Sequence, residues 1–142
     1  MLKGKEKGQA AAELALLLPL LLLILLGSLD VGRAFSVWLT LTNGAREGAR
    51  YGASFPVNSI DANVGNIENR TRVDILSEGL FGEALEVDVS IPEKGTNGLP
   101  LWGSPVAVRA TYVLPMTTLY LVGGSPLTIS ASAQMSILDG GS

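Results

Sequence analysis

The chain has 142 residues, of which 47% are apolar and 16% charged, and a net charge of −3. It contains no cysteine and no histidine, which excludes disulfide frameworks, thiol nucleophiles and most zinc, copper or haem sites, and removes the commonest general base at neutral pH. The only dense basic cluster is Lys3, Lys5 and Lys7, so no positive stripe for nucleic acid is present, and neither a cofactor nor a small-molecule substrate is expected.

Met1 to Gly8 is short, polar and net positive, and an almost unbroken apolar run extends from Ala10 to Leu29 with Glu13 as its one charge. About 20 such residues, at ~1.5 Å each, cross a hydrocarbon core of roughly 30 Å. The flanking lysines place the N-terminus in the cytoplasm by the positive-inside bias, and the rest of the chain is then translocated. A secretory signal peptide shares the basic start, but its apolar region is usually shorter and ends in a small-x-small cleavage site, and no clean Ala-x-Ala follows the run here.

Glu13 is the informative residue. An unpaired carboxylate costs about 2.5–3.5 kcal/mol near mid-membrane, and less at the edge. A cut after Gly8 supplies a partner, because Gln9 then carries a new α-ammonium and Glu13 becomes the fifth residue. Helices packed side by side with an axial stagger could pair Glu13 of one copy with the ammonium of the next. Glycine at position 8 leaves the cut unobstructed.

A basic leader, a glycine, a glutamate five residues on and an apolar helix together resemble the signal of type IV pilins and pseudopilins. Gly8-Gln-Ala-Ala-Ala-Glu-Leu-Ala-Leu-Leu-Leu-Pro19, Leu29-Asp-Val-Gly-Arg-Ala-Phe35 and Asn43-Gly-Ala-Arg-Glu-Gly-Ala-Arg-Tyr-Gly-Ala53 resemble the TadE-like family, pseudopilins of tight-adherence (Flp pilus) systems. The resemblance implies a prepilin peptidase that cuts between Gly8 and Gln9, and pilins, pseudopilins and pilus-assembly proteins as partners. The major Flp pilins are shorter and usually carry tyrosine after the glutamate. Leu14 stands there instead, which favours a minor pseudopilin.

Beyond Leu29 the helical pattern continues through Val31, Phe35, Trp38, Leu39 and Leu41. Gly44, Gly48 and Gly52 recur every four residues, with Ala45, Ala49 and Ala53 beside them, and such rows admit a second helix closely. That helix belongs either to the chain's own head or to a neighbouring subunit. No proline follows Pro19 until Pro56, so one helix is predicted from about Gln9 to Ser54, roughly 69 Å if straight. Pro19 is expected either to kink it harmlessly or to act as a hinge.

Phe55 to Asn58 reads as a turn, and Ser59 to about Gly79 as a shorter helix ended by Gly79 and Gly82. Leu85–Ile91, Val106–Leu114 and Leu127–Ile137 alternate apolar and polar residues, the pattern of half-buried strands. Pro92 to Pro105, rich in glycine and proline, is an expected loop. The fold class is α+β: a long N-terminal helix, a short helix and a small three-stranded antiparallel or mixed sheet whose apolar face is covered by helix.

Other clusters are weak. Asp61, Asn63, Asn66, Glu68 and Asn69 miss the calcium-loop spacing and read as a solvated helix face. Glu83, Glu86, Asp88 and Glu93 read as solubilising charge, and Asn69-Arg-Thr71 fits a glycosylation acceptor. The expected organisation is a leader at 1–8, a membrane segment at 9–29, a stalk at 30–55 and a head at 56–142. The protein is read as a non-enzymatic, single-pass protein of the cytoplasmic membrane, its head extracytoplasmic, retained there or recruited into a pilus. The alternatives are an anchored extracytoplasmic binding protein and a secreted protein with an unusual signal peptide.

Overall fold

The computed structural model describes residues 3–54, 60–80, 84–91, 101 and 103–137, with 3–7 and 60–63 by backbone alone. Its elements are α1 (Lys3–Ser54), α2 (Ile60–Ser77), β1 (Leu85–Ser90), β2 (Pro105–Leu114), α3 (Thr117–Leu121) and β3 (Leu127–Ser136). The fold is the expected α+β arrangement. The expected turn at Phe55–Asn58, Gly82, Glu83, the side chains of Asp61 and Asn63, and residues 92–100 and 102 of the Pro92–Pro105 loop, Glu93 included, lie outside the described residues.

The chain divides into two compact units, Met1–Arg33 with Pro115–Pro126, and Ala34–Leu114 with Leu127–Ser142. In the first, α1 begins at Lys3 rather than near Gln9: Lys3, Lys5, Glu6 and Lys7 are good helix formers, and no proline precedes Pro19. The helix continues through Pro19. Ser28 returns its hydroxyl to the Ile24 carbonyl at 2.9 Å, so the one hydroxyl of the apolar run is satisfied within the helix. α3 falls in a stretch for which the residue pattern predicts no element.

The second unit is built on a three-stranded sheet of order β1-β2-β3, antiparallel throughout. Leu85, Val87 and Val89 of β1 and Val106, Val108, Ala110, Tyr112 and Leu114 of β2 are buried, while Glu86, Asp88 and Arg109 face outward. Asp88 stands opposite Arg109, a favourable cross-strand pair of charges. α2 packs on β1, and Arg72 of α2 donates to the Leu85 carbonyl at 3.1 Å. The apolar positions of β3 (Ile129, Ala131, Ala133) are covered less fully than those of its neighbours. α2 ends at Ser77, and Gly79 follows with φ +90°, a conformation that favours glycine.

Candidate functional site

The Gly8–Gln9 peptide, where the sequence leads one to expect a cut, lies inside α1. Gly8 has open space around its Cα, and Gln9 Nε2 donates to Glu13 Oε1 one helical turn on, at 3.2 Å. The carboxylate thus has a neutral amide beside it. From Glu13 to Leu25 every side chain is exposed, Leu16 reaching 80%. An all-round apolar helix surface of this kind is stable against lipid or protein and not against water. α1 is the one helix among the described residues that is long and apolar enough to cross a membrane.

Where the apolar run ends, Asp30 is 3% exposed. Its Oδ1 accepts from the Thr117 backbone N–H at 3.2 Å and its Oδ2 from that of Thr118 at 2.7 Å. These are the first two amides of α3, whose own N-cap, Met116, has no side-chain acceptor. Asp30 therefore caps a helix that the local sequence leaves uncapped. The Arg33 guanidinium lies 3.8 Å from Oδ1. The Thr118 backbone N–H, more than any other group, holds the Asp30 carboxyl below the usual carboxylate range. The Thr117 N–H and the Arg33 charge act the same way, and exclusion from water opposes them.

The other end of α3 is closed as firmly. Gly124 N–H donates to the Leu119 carbonyl and Gly123 N–H to that of Tyr120, with Gly123 at φ +77°, the paired bonds of a Schellman motif. A helix this short would not persist alone. Capped at both ends, it presents Tyr120, Leu121 and Val122 at 85%, 64% and 60% exposure.

In the second unit, the glycine row faces α2 of the same chain. A methyl group at Gly44 would overlap Ile75, one at Gly48 would overlap the Thr71 hydroxyl, and one at Gly52 would lie 2.6 Å from Ile67 and 2.9 Å from Val106. Ala45, Ala49 and Ala53 are buried beside them with Leu41. Thr71 sits fully buried and donates to the Ile67 carbonyl at 2.8 Å, so the Asn69-Arg-Thr71 sequon has an inaccessible threonine. Arg50 makes a two-pronged ion pair with Glu47, at 2.9 and 3.1 Å, which holds the Glu47 carboxyl below its ordinary range. Among the described residues, no group of three or more acidic side chains is placed to hold a metal ion.

Sequence reasoning singled out Gly8, Gln9, Glu13 and the glycine and alanine rows. It missed Asp30 and α3, although the pair Gly123-Gly124 behind a short apolar run was a legible helix stop. The family model described as TadE-like protein matches residues 8–50, the stretch that carries the resemblance drawn from the residues. The match takes in Gly8, Gln9, Glu13, Asp30, Gly44 and Gly48. The comparison with curated proteins returns no match, and neither does that with solved structures.

Proposed function

We propose that this chain is a pseudopilin of a Tad-type (Flp) pilus, a minor structural component rather than an enzyme. On this reading residues 1–8 are a leader, 9–29 the membrane segment, 30–55 the stalk and 56–142 the head. The protein sits in the cytoplasmic membrane with its N-terminus inside, and its partners are a prepilin peptidase, other pilins and pseudopilins, and the assembly machinery.

The observation that carries the proposal is Glu13, alone on an exposed apolar helix face and five positions past Gly8, within a segment that matches the TadE-like family model. Before processing, the amide of Gln9 offers Glu13 only a neutral donor. Cleavage after Gly8 creates an ammonium at Gln9, and a charge-assisted bond is roughly twice as strong as a neutral one. Lateral packing with an axial stagger brings that ammonium to the Glu13 of an adjacent helix. The Gly8–Gln9 peptide lies in helical backbone, so a peptidase that binds extended chain must first unwind it, and Gly8 lowers that cost by about 1 kcal/mol relative to alanine.

Mass spectrometry of the mature protein tests this. A chain starting at Gln9 is expected. An intact Met1 would favour a plain anchored binding protein, and a start beyond Leu29 a secreted one.

A further inference from the structure

The loop between β2 and β3 carries an apolar face that nothing described so far uses. Residues Pro115–Pro126 contain no charged side chain, and the tip formed by Tyr120, Leu121 and Val122 is exposed. The loop's position is fixed with respect to one point on α1. Both oxygens of the Asp30 carboxylate hold the first two amides of α3, and Asp30 directly follows Leu29, the last residue of the apolar run.

Distance sets the level of this loop. A five-residue helix is about 7.5 Å long, and the Asp30 side chain with its hydrogen bonds adds roughly 6 Å, so α3 lies within roughly 15 Å of the point where α1 leaves its apolar stretch. The headgroup region of a bilayer is about 5–8 Å deep on each side. The loop groups with Met1–Arg33 and not with the continuation of α1, so it lies beside the end of the apolar stretch, at the level of that layer, provided that the apolar part of α1 spans the membrane, a premise taken from the proposed function.

We infer that α3 and its flanks are an interfacial membrane-binding element. Tyr120, Leu121 and Val122 enter the boundary between headgroups and acyl chains of the bilayer that α1 crosses, on the side of the head. The side chains suit that layer. Tyrosine is enriched there because its ring is apolar and its hydroxyl reaches water or headgroups, while Leu121 and Val122 bury apolar surface, as interfacial segments do. The double capping of α3 keeps these side chains on one rigid turn. Asp30 itself tolerates the interface because its carboxylate is already satisfied by two amides and faces Arg33.

The chain has no cysteine, so single labelled sites are direct to make. Leu121→Cys, Leu21→Cys and Ser132→Cys, each in the full-length chain, carry an environment-sensitive fluorophore in phosphatidylethanolamine/phosphatidylglycerol vesicles containing lipids nitroxide-labelled at shallow or deep acyl positions. The expected result is loss of most emission at position 121 with shallow quencher, loss at 21 with deep quencher, and no loss at 132. Quenching at 21 without quenching at 121 overturns the inference and leaves the membrane span standing. Absence of quenching at 21 removes the span and the inference with it. Energy transfer between labelled copies at 121, with no lipid quenching there, assigns the face to a second copy and also overturns it.

Discussion

The backbone N–H of Thr118 donates to Asp30 Oδ2 at 2.7 Å across 88 positions of sequence, so the helix α3 owes its N-terminal cap to a residue at the far end of the apolar run. This bond makes the exit of α1 from its apolar stretch a structural landmark.

Asp30 makes α3 dependent on pH. Its folded-state pKa lies below the ordinary value of about 3.9, so the stabilisation is fully present above that value and is lost as pH falls through the folded pKa. Amide exchange at Thr117 and Thr118 in the full chain should be slow and insensitive to this carboxyl above pH ~5. Protection should collapse in more acidic solution, once the chemical exchange rate is corrected for. Asp30→Ala, which leaves no acceptor for the two amides, should show weak protection at every pH. Equal protection in the variant and the parent chain would refute the capping role.

Gly48→Ala is expected to destabilise the second unit. The added methyl meets the buried Thr71 side chain, which is branched at Cβ and already hydrogen-bonded. Overpacking costs about 1–3 kcal/mol, against about 1 kcal/mol gained in helix propensity. Gly65→Ala, with open space around it in α2, should instead stabilise by about 0.5–1 kcal/mol. Urea unfolding of the detergent-solubilised chain distinguishes the two signs.

How far the residues foretold the structure follows from where each signal is stored. The strands were legible because period-two alternation in Leu85–Ser90 and Val106–Leu114 is a local record of burial. The glycine row revealed a close helix contact, but α2 as its partner is a tertiary fact that no local pattern encodes. α3 was missed because its cap is remote and Met116 gives no local sign of a helix start. The incomplete covering of β3 was equally hidden, since alternation reports a face and not what lies over it.

Processing should tolerate Gly8→Ala and fail with Gly8→Trp, because the cut as proposed needs a small residue and an unwound backbone. Intact mass reads the outcome: a Gln9 start for alanine, a full-length chain for tryptophan. Normal trimming of the tryptophan variant would argue against cleavage at this position.

Glu13→Leu should still insert and still be trimmed, since it only removes the one charge from the apolar run. Assembly should suffer, with pilus yield by electron microscopy falling well below the parent level. Normal pili from this variant would discount the pairing of Glu13 with a neighbouring amine.

The close seating of α2 on Gly44, Gly48 and Gly52 means that this small-residue groove is occupied from within. Copies that meet laterally in a bilayer would then have to recognise one another by leucine surfaces, which attract through dispersion and discriminate poorly between orientations. Order would fall to sparse polar landmarks, and erasing one should yield clusters that adhere without acquiring a defined pitch.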